Sequence, residues 1–121
     1  MGSVEGEVGL LNGPYPVIEC DYWTRSRTPG VFVLENRARK PALVGVSDLD
    51  VRAEILIAAN RIEAVSFFVE YIQSGLRRAL TSAALFHTLG LARLQDHPPV
   101  AKELGYCPVP GCALGHPPAQ P

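Results

Sequence analysis

The spacing of residues 47–73 predicts one long helix with two apolar faces, and this pattern constrains the fold more than any other in the chain. At about 100° per residue, Leu49, Ala53, Leu56, Ile57, Ala64, Phe67 and Tyr71 fall on one arc. Val51, Ile55, Ala58, Ile62, Val65 and Val69 fall on another, nearly opposite. Two narrow charged ribs separate them, Arg52, Glu63 and Glu70 on one side and Asp50, Glu54 and Arg61 on the other. A surface helix ordinarily has one apolar stripe and one polar face. A helix apolar on two sides has to be covered twice, and a chain of 121 residues readily covers one side. The second side calls for another element or another subunit.

Ser47 is the expected N-cap of this helix, with Asp50 in the capping-box position three residues on. Ser74-Gly75 predicts a stop or a kink. A second helix is predicted over residues 76–94, with Leu76, Ala79, Leu80, Ala83, Phe86 and Leu89 at helical spacing. Upstream, residues 17–23 and 30–35 are rich in β-branched and aromatic residues and predict an antiparallel pair around the loop 24–30. Residues 42–46 predict a third strand and residues 5–11 a further short one. Nine of the eleven prolines gather at residues 13–16 and 98–121, where they favour extended chain. The expected fold class is α+β. A small antiparallel sheet in the N-terminal half precedes a long helix or kinked helical pair, between Pro-rich extended termini. The expected divisions are an extended arm (1–16), an α+β core (17–97) and a Pro/Gly-rich tail (98–121).

This length suits one domain, and 47% hydrophobic with 19% charged residues is the composition of a globular chain. A net charge of −1 argues against a general binder of nucleic acid or anionic membrane. No membrane span is expected, because the most apolar stretch, residues 79–94, is broken by His87 and Arg93 short of the ~20 residues required. The first 13 residues carry glutamates where a secretory signal is basic. Three cysteines do not close a disulfide framework. The expected location is the cytoplasm or another reducing compartment, with a virion also compatible.

The tail carries the one constellation with ligand-like spacing, Cys107-Pro-Val-Pro-Gly-Cys112-Ala-Leu-Gly-His116. Two thiolates and an imidazole suit Zn²⁺, which takes four tetrahedral N or S ligands, and Cys20 or His97 is available as the fourth. The Cys-Pro-x-Pro-x-Cys string resembles half of a zinc knuckle in in-between-RING modules, without their second Cys pair. The alternatives are a Cys107–Cys112 disulfide and a metal-free tail.

Two basic clusters flank the predicted hairpin, Arg25 and Arg27 on one side, and Arg37, Arg39 and Lys40 on the other. Tyr22 and Trp23 adjoin the first, and aromatics interleaved with arginine can stack on bases. Asn60 falls near the Leu49 arc, where a buried amide has to find a hydrogen bond. His87 reads as a half-buried core histidine. Arg77 and Arg78 open the second helix at the end of its dipole that disfavours cations, so a partner's carboxylates are one reading of their role. No phosphate loop, His-Glu-x-x-His or Gly-x-Ser-x-Gly occurs in the sequence.

These features favour a non-enzymatic assembly or interaction subunit, either a homo-oligomer or one protein of a larger complex such as a virion or multi-subunit machine. Val65, Val69, Phe67 and Tyr71, with Tyr106 and Leu114 of the tail, are the expected interface residues. The alternatives are a nucleic-acid-associated regulator using Trp23 and the arginine clusters, and a small enzyme or ligand-binding protein with a pocket between sheet and helices.

Overall fold

The structure, a computed structural model, describes residues 11–89. In chain order these form β1 (Asn12–Pro16), a 3₁₀ turn (Val17–Glu19) running into the one-turn helix α1 (Cys20–Trp23), β2 (Gly30–Glu35), β3 (Pro41–Ser47), α2 (Val51–Ile62), β4 (Ser66–Tyr71) and α3 (Gly75–Thr88). The four strands make one antiparallel sheet in the order β1-β4-β2-β3.

The two central strands decide the architecture. Every residue of β2 is buried. Val31 and Val33 join Val44, Phe68, Leu85 and Phe86 on one face of the sheet. Phe32 and Leu34 join Phe67, Val69, Val51, Ile55 and Ala59 on the other. Helix α3 therefore covers one face, and α1 with α2 covers the opposite face. A near-continuous apolar run such as Val31-Phe-Val-Leu34 marks a strand covered on both sides. On the α2 side, Phe32 lies directly across Gly45 of β3, and a Cβ there would come within 2.2 Å of its ring.

The α+β class is as the sequence implies, but the long helix is not continuous. Residues 66–71 form β4, a central strand, rather than the last turns of a helix. Helix α2 closes at Glu63, which adopts the left-handed conformation (φ 57°), and the Ala64 amide turns back to the Ala59 carbonyl. The run Ser66-Phe-Phe-Val69 then has the β-branched and aromatic character that fits a pleated surface. Phe67 and Val69 point to one face and Phe68 to the other, so a two-sided strand imitated the two arcs of a two-sided helix. Phe67 and Val69 are consequently core residues, 0% and 1% exposed, and not interface residues. Val65 and Tyr71 are half-buried, and both are engaged: the Val65 amide donates to the Glu35 carbonyl, and the Tyr71 hydroxyl accepts from the Arg25 amide.

Other local expectations change for similar reasons. Residues 17–23 form the 3₁₀ turn and α1 rather than a strand, so β2 pairs with β3 and β4 instead. The Thr24 hydroxyl and amide both donate to the Cys20 carbonyl, closing that turn. Residues 12–16 of the N-terminal arm are part of the sheet, paired with β4. Asp50, not Ser47, caps α2: its carboxylate accepts from the Ala53 amide, while the Ser47 hydroxyl accepts from the amides of Leu49 and Asp50. Asn60 is exposed rather than buried. The strand expected at residues 5–11 lies outside the described residues except for Leu11, which is buried beside Phe68 and Leu85 in the core.

Candidate interaction surface

Helix α2 is the element on which the two-faced reading holds. Its inner arc, Val51, Ile55, Ala58 and Ala59, is buried against the sheet. Its outer arc is uncovered among the described residues: Leu49 in the turn before it is 79% exposed, and Ile57 and Leu56 are 61% and 41% exposed. The charged rib of Glu54 and Arg61 runs beside that outer arc and is exposed.

The segment from Val17 to Thr24 lies alongside α2 and is fixed at both ends. At one end the Val17 amide donates to the Val65 carbonyl just beyond α2. At the other, Arg52 of α2 donates to the hydroxyl and carbonyl of Thr24 and to the Asp21 carbonyl, and its guanidinium lies 3.9 Å from the Asp21 carboxylate. This clamp holds up a second apolar group, Ile18 (96% exposed), Tyr22 (79%) and Trp23 (40%). Trp23 stacks on Tyr15 at 4.5 Å, meets Tyr22 edge-on, and donates from its indole to Glu19. Of the eight large apolar side chains exposed among the described residues, six belong to this layer; the other two, Leu76 and Leu80, are on α3. Single exposed apolar residues are ordinary; these six lie on the segments that cover one and the same face of the sheet or directly adjoin them.

Near the start of α2 and α3 the structure has a cleft of about 450 Å³, with Leu49, Asp48, Glu54, Arg78 and Ala79 in its wall. Both helix N-termini there are satisfied internally, by Asp50 and by the Ser74 hydroxyl, which accepts from the Arg77 amide. Arg78 is buried and donates to the carbonyls of Ile72 and Gln73 and to Asp48 at 2.9 Å. Its carboxylate therefore comes from its own chain, not from a partner. These contacts tie the turn before α3 to the turn before α2.

The remaining sequence candidates are dispersed. The Cys20 thiol is buried in the apolar cluster beneath α2, within reach of the Thr24 hydroxyl at 3.7 Å. Burial pushes its pKa up, and the nearby Asp21 charge adds to this, opposed by the Thr24 hydrogen bond and by Arg52. A buried protonated thiol is neither a metal ligand nor a nucleophile as it stands. Cys107, Cys112, His116, Tyr106 and Leu114 lie outside the described residues, as does His97. Among the described residues no three His, Cys, Asp or Glu side chains converge.

Arg25 and Arg27 precede β2, whereas Arg37, Arg39 and Lys40 follow it in the turn held by the Asn36 carboxamide, so β2 separates the clusters by on the order of 20 Å. The Arg25 guanidinium sits over the Tyr71 ring at 4.7 Å. Trp23 stacks one face on Tyr15, while Tyr22 remains 79% exposed. His87 is half-buried and meets Phe86 edge-on. No described helix is long and apolar enough to cross a membrane.

The sequence pattern missed the Arg52 clamp and the protruding Ile18 and Tyr22. The available signal was Arg52 itself, a cation on the rib nearest residues otherwise assigned to a strand. Comparisons with protein-family models, curated proteins and solved structures gave no match.

Proposed function

We propose that this chain is a non-enzymatic assembly subunit that docks to protein through the outer layer formed by α2 and residues 17–24. The observation supporting this reading is that α2 buries one apolar arc against the sheet while Leu56 and Ile57, with Leu49 just before the helix, stay exposed on the other side, 79% at Leu49 and 61% at Ile57. Exposed isoleucine and leucine on a rigid helix are the anchors by which amphipathic helices bind grooves and one another. Tyr22 and Trp23 add the aromatic character enriched at interface centres. Neither the paired Arg78 in the cleft nor the separated arginine clusters offers a comparable feature for catalysis or for nucleic acid.

The test is the size of the particle containing this chain, both in extract of the cells that make it and after purification. In at least one of the two it should exceed a single chain, and the double substitution Leu49→Asp, Ile57→Asp should reduce it to one chain without lowering the melting midpoint. A wild-type chain found single in both would overturn the proposal.

A further inference from the structure

We propose that the outer face of α2 is occupied by the same face of a second copy of this chain, the two helices packing antiparallel about a two-fold axis at Ile57. The inference rests on the docking reading above and adds the partner. It comes from the order of charges along the helix. Glu54 and Arg61 are seven residues apart, which places them on one flank of α2, two turns or about 10.5 Å apart. Their midpoint falls between Ile57 and Ala58. A two-fold axis through that point, perpendicular to the helix, sets Glu54 opposite Arg61 of the second copy and Arg61 opposite its Glu54. Parallel two-fold packing would instead set this flank against the Ala53 and Asn60 flank of the second copy and leave both charges without a partner.

The other flank has the same spacing. Ala53 and Asn60 are also seven apart, with their midpoint one residue earlier, so an axis at Ile57 lies half a residue from both midpoints and brings the small Ala53 close to the exposed Asn60. Ile57, 61% exposed, meets its counterpart at the axis. Both charges are available: Glu54 and Arg61 are exposed, and neither side chain makes an ion pair or hydrogen bond to a described residue. An isologous contact requires this self-complementarity, since residue i meets j and j meets i. Charges flanking an apolar seam set orientation and partner in paired helices.

The experiment uses the purified full chain with Glu54→Arg and Arg61→Glu, each alone and then mixed, sized by light scattering over a range of concentrations. Wild type should be a dimer. Each single substitution opposes like charges at two symmetric places and should weaken self-association by about tenfold or more. An equimolar mixture should regain the dimer as a heterodimer, because two arginines on one chain then face two glutamates on the other. Melting midpoints equal to wild type show that the changes act on association rather than on folding. A wild-type chain that remains single at high concentration overturns the inference, as does a dimer indifferent to both substitutions or a mixture that fails to pair. If any of these occurs while the particle in cell extract is still released by Leu49→Asp, Ile57→Asp, the face docks to a different protein, and the wider reading survives.

Discussion

The inner and outer arcs of α2 are chemically alike and physically opposite. Val51 and Ile55 are fully buried, whereas Leu49 and Ile57 are mostly exposed, within the same turns of chain. The sheet beneath decides the difference. Phe32, Leu34, Phe67 and Val69 supply a surface that matches one arc only, and a cylinder cannot present two opposite sides to one sheet. Helix α3 handles the same constraint differently. It joins the sheet core through Leu85 and Phe86, buries the small Ala79, Ser82 and Ala83 as well, and has Arg78 in its first turn donating to the segment before it. Apolar character on the inner arc therefore contributes to folding, whereas on the outer arc it stays exposed, and association is the role proposed for it.

Several substitutions separate these roles. The largest contrast is between two isoleucines two positions apart. Ile55→Ala should cost about 2–4 kcal/mol by leaving a cavity beneath α2, whereas Ile57→Ala should change unfolding free energy by no more than about 0.5 kcal/mol. Denaturant unfolding of both variants at low concentration measures the contrast, and equal losses would break it. Next comes Gly45→Val, which forces a side chain against the buried ring of Phe32. Overpacking of this kind should cost about 1–3 kcal/mol, and unchanged stability would show that the α2-facing core is looser than the distances imply. Arg52→Ala should cost about 1–2 kcal/mol through its lost hydrogen bonds to residues 21 and 24. Hydrogen exchange should accelerate at residues 20–24 and not in β2; uniform acceleration would show that α1 is integral to the core.

The smallest effect concerns Cys20. Its raised pKa means that the unfolded chain loses the thiol proton first as pH rises. Stability should be unaffected by this group in neutral solution and should decline as pH rises past the ordinary thiol value of about 8.5. Cys20→Ala should flatten that alkaline decline, and a decline of unchanged steepness would remove the thiol as its cause.

The inner arc, the outer arc and the charged rib of α2 were legible in the sequence because residues 51–62 are helical and the 3.6-residue period applies throughout. The pattern failed at residue 66. Phe67, Phe68 and Val69 satisfy a period of two on a doubly covered strand as well as they satisfy a helix, and the Glu63 turn between the two elements uses a non-glycine residue that gives no warning. The strand at residues 17–23 failed because its β-prone composition serves a short helical segment held by tertiary contacts from Arg52, 28 to 31 residues away. The exposed Asn60 shows the limit of arcs without partners: its position on the helix was read correctly, but which arc meets the sheet depends on strands elsewhere in the chain.

The most direct test of the outer arc is the alkylation rate of a cysteine placed at position 57, in a chain with Cys107 and Cys112 replaced by serine and the buried Cys20 as internal reference. The rate is measured in extract of the cells that make the protein, in concentrated purified chain, and again after dilution to single chains. The expected result is a thiol that reacts readily after dilution and is protected in at least one of the first two conditions, because another chain then covers α2. Equal, fast alkylation under all three conditions would contradict the assignment of α2 as an interface.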